Sequence, residues 1–133
     1  MKRLFFIPTM ILFSCSSPDE CPQFVFDPVE KITSTIDNIL YTGRCMTYNE
    51  YGKKSVQQYI NGIDYGKWVF YFPDGQVQTK GRFNQYGKRI GKWRYYHENG
   101  KIKQISIYSN DGNAIGKWVE YNEAGDLINE INH

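Results

Sequence analysis

A glycine, an aromatic ring five residues on and a second glycine nine residues after the first recur four times along this chain. The copies run Gly43-Arg-Cys-Met-Thr-Tyr48 to Gly52, Gly66-Lys-Trp-Val-Phe-Tyr71 to Gly75, Gly91-Lys-Trp-Arg-Tyr-Tyr96 to Gly100, and Gly116-Lys-Trp-Val-Glu-Tyr121 to Gly125. Their starts lie 23, 25 and 25 residues apart. A short fixed period of this kind marks a repeat architecture. A unit of this size cannot bury its own apolar face, so it must lean on its neighbours, and the product is an extended surface rather than a cleft.

Each copy reads as a β-hairpin. Residues 66–72 are aromatic and β-branched, as a strand should be. Pro73-Asp74-Gly75 supplies the turn, residues 76–83 return as a second strand, and Asn84 to Gly87 turn the chain towards the next copy. Asn99-Gly100 sits between two strand-like runs, the short-range signal of a two-residue type I′ hairpin. No 3.6-residue apolar period stands out beyond residue 40. The expected fold is all-β: serial antiparallel hairpins in one elongated, twisted or curled sheet.

Two-residue loops set Trp68 opposite Gly81, Trp93 opposite Ser106 and Trp118 opposite Ile131. A large indole facing a bare backbone or a small residue is good cross-strand packing. Strand alternation then places Trp68, Trp93 and Trp118 on one face and Tyr48, Tyr71, Tyr96 and Tyr121 on the other. A bulge or a longer loop would exchange the faces.

The Gly-Lys-Trp-x-x-Tyr…Gly units resemble MORN repeats, in the variant found in bacterial proteins labelled YwqK-type antitoxins. The resemblance spans residues 39–133, with repeats starting near 43, 66, 91 and 116, and the first departs most because Cys45 stands where the others carry Trp. It implies antiparallel hairpins in series and a binding or scaffolding role. It carries no catalytic residue and no cofactor.

Residues 1–14 read as a signal peptide: Lys2-Arg3, then an apolar run of ten from Leu4 to Phe13. That run is half of what a membrane-spanning helix needs, about 20 residues. The ending Leu12-Phe13-Ser14-Cys15 resembles a bacterial lipobox, in which the cysteine is acylated and becomes the new N-terminus. A plain secretory signal cleaved nearby is the alternative. Residues 15–38 form a tether or N-terminal segment with short extended pieces at most. A lipid on Cys15 would place the protein in the bacterial envelope, at the outer membrane or cell surface in preference to the inner membrane.

Removal of residues 1–14 leaves 119 residues with as many basic as acidic side chains. Export together with this balance argues against nucleic acid. The charge is uneven, however: residues 15–40 hold five acids and one lysine, and residues 41–133 thirteen basic and nine acidic groups. A basic residue follows every leading glycine, namely Arg44, Lys67, Lys92 and Lys117. Such a row could meet phosphate-bearing groups or an acidic partner; equally, charges at strand starts keep a sheet soluble and discourage edge pairing.

On the tryptophan face, Phe70, Phe72, Tyr95 and His97 occupy positions where the outer copies carry Thr47, Asn49, Glu120 and Asn122. Rings that the scaffold does not demand suit a partner-binding surface, or else extra packing for the central repeats. Enzyme readings find no support in the residues. His97 and His133 are the two histidines, and neither has the cysteine or histidine company of a metal site.

Cys21 and Cys45 remain after lipidation. In an oxidising compartment they would bridge and pin the N-terminal segment over the first repeat, the cap that a terminal repeat needs; two free thiols are the alternative. The functional expectation is a membrane-tethered, non-catalytic binding or scaffolding module engaging a protein or an envelope polymer. The alternative is an immunity protein against a toxin that acts in the periplasm or at the surface, because a cytosolic toxin would be out of reach.

Overall fold

The computed structural model describes residues 19–133 except 31 and 36, and no helix occurs among the described residues. Three short strands come first: β1 (Asp19–Glu20), β2 (Phe24–Asp27) and β3 (Ile32–Thr35). The repeats follow as β4 (Gly43–Asn49) and β5 (Gly52–Ile60), a two-residue β6 (Ile63–Asp64), β7 (Gly66–Tyr71) and β8 (Val77–Phe83), β9 (Arg89–Tyr96) and β10 (Ile102–Tyr108), and β11 (Lys117–Tyr121) and β12 (Leu127–Asn132). They build one open sheet in the order β1-β4-β5-β7-β8-β9-β10-β11-β12, with β6 on β5, while β2 and β3 form a separate pair. The chain is thus an all-β series of hairpins. Residues 1–14 and Cys15 lie outside the described residues.

The expected register holds, with Trp68 opposite Gly81, Trp93 opposite Ser106 and Trp118 opposite Ile131. The loops that produce it are not the expected two-residue turns. His97 N–H donates to the Lys101 carbonyl across a three-residue loop, Glu98-Asn99-Gly100, and Phe72 donates to Gln76 in the same way. A type I′ turn would need positive φ at Asn99 as well as at Gly100, and only the glycine has it, at 82°. Asn99 instead accepts the Lys101 amide on its own side-chain oxygen, as Asp74 accepts that of Gln76. The extra loop residue moves the pairing by one, and a bulge just beyond it, at Gln78, Lys103 or Ile128, moves it back. Two shifts cancel.

The tryptophans tie the repeats together. Trp68 Nε1 donates to the Gln58 carbonyl at 2.9 Å, Trp93 to Arg82 at 3.2 Å and Trp118 to Ile107 at 3.0 Å. All three acceptors occupy one repeat position, on the second strand of the preceding hairpin. The indoles therefore lean backwards along the sheet. The ring lying on Gly81 is Trp93 of the next repeat, and a Cβ at Gly81 would fall inside that indole. Trp68, directly opposite Gly81, was expected to cover it; the pull of the upstream carbonyl on each indole N–H is why the cover comes from the neighbouring hairpin instead.

A second aromatic column completes the packing. Tyr59, Phe83 and Tyr108 pair with the leading glycines Gly43, Gly66 and Gly91, and His133 donates its amide to Gly116. Phe83 lies edge-on between Trp68 (5.3 Å between centroids) and Trp93 (5.0 Å), while Tyr59 meets Trp68 and Tyr108 meets Trp118. Among the apolar side chains burial is deepest at Cys45, Trp93, Val56 and Met46, with Tyr59 and Trp68 close behind, and it thins towards β12, which is exposed along its length. Trp93→Ala should destabilise the fold by about 3–5 kcal/mol. Gly81→Ala should cost about 1–3 kcal/mol by overpacking the same ring. Both are read as lower urea midpoints, and an unchanged midpoint for Gly81→Ala would show that the indole does not rest on that backbone.

Among the described residues no hairpin of the main sheet precedes the first repeat, and Cys45 stands in place of the tryptophan. Cys21 is bonded to Cys45, with Cα atoms 4.7 Å apart. The bridge holds β1 parallel to β4, and Cys21 N–H donates to the Met46 carbonyl at 2.8 Å. Phe24 then packs edge-on against Tyr41 and Tyr59, giving Tyr59 the ring neighbour that Cys45 does not supply. The N-terminal segment thereby caps the sheet. Opening this loop, with its sequence separation of 24, should cost about 3 kcal/mol on the chain-entropy account. Reductant should lower the melting temperature of the wild type and leave that of Cys21→Ser unchanged; equal sensitivity in both would place the effect elsewhere.

Candidate functional site

Alternation gives the sheet two unlike faces. The tryptophan face carries the four aromatic candidates, all half-buried. Phe70 packs against Trp68, 5.8 Å between centroids, and joins the core cluster. His97 Nε2 donates to the Tyr121 carbonyl at 2.8 Å, so its ring struts one hairpin against the next. Phe72 and Tyr95 line a concavity of about 180 Å³ together with Thr79. Burial pushes the Tyr95 phenol up, while Arg89, whose Nη1 donates to that hydroxyl at 3.3 Å, opposes the shift. Two of the four rings thus serve the scaffold, and two remain available.

The tyrosine face carries the basic row. Arg44, Lys67, Lys92 and Lys117 are all exposed at matching positions on β4, β7, β9 and β11. None of these is an edge strand, so guarding an edge does not explain them. The row is not uniform. Lys117 Nζ is held by Glu130 at 2.7 Å. Between β7 and β9, by contrast, Lys80, Arg82 and Arg94 join Lys67 and Lys92 around a concavity of about 280 Å³ whose lining contains no acid. Lys80 also reaches over the Tyr96 ring, 5.4 Å from its centroid, as Lys53 does over Tyr71. Lys80, Arg82 and Arg94 escaped the sequence reading, which followed only the residue after each glycine; pairing the strands in the expected register would have shown them.

A third concavity, of about 460 Å³, lies where the N-terminal pair meets the second repeat and combines Phe26, Pro28, Ile63 and Tyr86 with Glu30 and Asp64. The loops on the hairpin ends stack as well: Gln76 Nε2 donates to the Glu98 carbonyl, Asn99 Nδ2 to Glu123 and Asn84 Nδ2 to Asn110. The His133 ring packs against Trp118 in a tilted arrangement, 4.5 Å between centroids. Both histidines therefore have structural work. Among the described residues, no three His, Cys, Asp or Glu side chains gather as a metal site would require.

A family model, the MORN repeat variant, matches residues 64–85 and 89–110. The two matched stretches are the central hairpins, β7 with β8 and β9 with β10. That repeat is in general a binding module without catalytic residues, and the matched stretches are the ones that carry the clustered cations and the four aromatic candidates. A solved structure described as the crystal structure of the GtfA/B complex bound to UDP and GlcNAc is similar at 12% identity and a TM-score of 0.38, over 91% of this chain and 29% of that one. No curated protein matches the sequence.

Burial pushes the Asp64 carboxyl up from its usual range. A carboxyl raised in this way binds its proton more tightly in the folded chain than in the unfolded one. The stability it contributes is complete below the unfolded value and is lost as pH rises through the folded one. Asp64→Asn should therefore raise the melting temperature at neutral pH and give no gain below about pH 4. A gain of equal size at both pH values would show that the charge is not the cause.

Proposed function

We propose that the chain is a lipid-anchored, non-catalytic binding module of the bacterial envelope, tethered through Cys15 and recognising a protein or an envelope polymer with its central repeats. The observation that carries the reading is internal to the molecule. Repeats two and three depart from their outer neighbours on both faces, with aromatics on one and cations on the other, although all four hairpins share a single backbone plan. Phe70 and His97 serve the scaffold; the remaining rings and the added cations, which the outer hairpins do without, are held here for recognition.

Export is supported from two directions. The first 14 residues have the charged start and short apolar run of a signal, and they end at a lipobox-like cysteine. The Cys21–Cys45 bond belongs with an oxidising compartment. An immunity role against a periplasmic or surface-acting toxin is a narrower form of the same reading, and it requires a toxin gene beside this one.

Fractionation tests the anchor. The wild type should partition with membranes and shift in mobility when signal processing is inhibited, and Cys15→Ala should be released or left unprocessed. Recovery of the wild type as a soluble, unacylated protein would overturn the tethered reading.

A further inference from the structure

We infer that the basic concavity on the tyrosine face is a binding site for a compact oligophosphate, a ligand presenting two or more phosphate groups side by side. The inference rests on reading the sheet as a binding surface and supplies the ligand class. Five cations meet there on three adjacent strands: Lys67 on β7, Lys80 and Arg82 on β8, and Lys92 and Arg94 on β9. Two pairs are direct cross-strand neighbours, Lys67 with Arg82 and Lys80 with Arg94. Adjacent strands lie about 4.8 Å apart, so neighbouring charges fall within reach of successive phosphates in a chain.

The repeats serve as their own control. Where repeat two has Lys80, the others have Val56, Ile105 and Glu130. Arg82 corresponds to Gln58, Ile107 and Asn132, and Arg94 to Met46, Val69 and Val119. The hairpin demands no cation at any of these positions. Like charges placed directly opposite one another destabilise a sheet, yet this one keeps two such pairs together. Among the described residues the one ion pair is Lys117–Glu130, outside the cluster. The five cations thus lack any carboxylate bound to them, and a multivalent anion would relieve their mutual repulsion.

The ligand class follows from charge density and donor geometry. Two guanidinium forks suit the paired oxygens of phosphate, and three ammonium groups add point charges around them. A single carboxylate would leave most of the cluster unneutralised. Phosphates joined in a short run supply several negative charges in the space available, about 280 Å³.

Inorganic tripolyphosphate is the probe, titrated calorimetrically into the full chain as purified from the expressing cell. The wild type should bind it and gain melting temperature in its presence. The triple variant Lys80→Val, Arg82→Gln, Arg94→Val uses residues that other repeats carry at the same positions, so the fold should be kept, as an equal or higher melting temperature without ligand would confirm. Its affinity should fall about tenfold or more with the loss of three charged donors. Lys101→Gln, outside the cluster, should bind as the wild type does. Absence of binding in the wild type, undiminished binding in the triple variant, or equal affinity for citrate would overturn the inference. So would binding only to anionic lipid vesicles that tripolyphosphate fails to displace. None of these results bears on the Cys15 anchor, so the two readings fail separately.

Discussion

One hydrogen bond, repeated three times, organises this molecule: an indole N–H donates to a main-chain carbonyl one hairpin upstream. A lone hairpin is marginal in water because it has a face to bury and nothing to bury it against. The backward-leaning tryptophan solves both problems. It satisfies a carbonyl in the preceding hairpin and lays an apolar ring over that hairpin's backbone, most clearly at Gly81. The aromatic column of Tyr59, Phe83 and Tyr108 fills the remaining space beside the leading glycines. Loop struts such as Asn99 to Glu123 repeat the same coupling at the sheet's margin.

The dependence on an upstream neighbour explains the first repeat. Among the described residues no hairpin of the main sheet lies upstream of position 45, and the chain places a cysteine there. A covalent bond to Cys21 and the ring of Phe24 stand in for the missing hairpin. At the far side of the sheet β12 is the edge strand among the described residues, and Leu127, Ile128 and Ile131 are correspondingly exposed.

Much of this was legible in the sequence, because a fourfold repeat states its own period and the glycines mark its turns. The hairpins, their register and the two faces follow from that alone. The loop type did not, since Asp74 and Asn99 close three-residue loops through their own side chains and the bulges at Gln78 and Lys103 hide the difference. The direction in which the indoles lean was equally hidden, as alternation fixes a face but not a tilt along the sheet. The cationic concavity needed three strands considered together. Arg94 lies 14 residues from Lys80 and 12 from Arg82 in sequence, yet it stands beside them once β8 meets β9.

A clasp that always points backwards has a consequence for how the chain can be made. Each tryptophan needs only a carbonyl that has already been synthesised, so a hairpin can dock as soon as it emerges, without waiting for anything downstream. The cap at Cys21 and Cys45 lies at the beginning of the series, where a growing sheet requires its foundation. As any chain emerges from the ribosome N-terminus first, assembly can then proceed like a zip closed from one end.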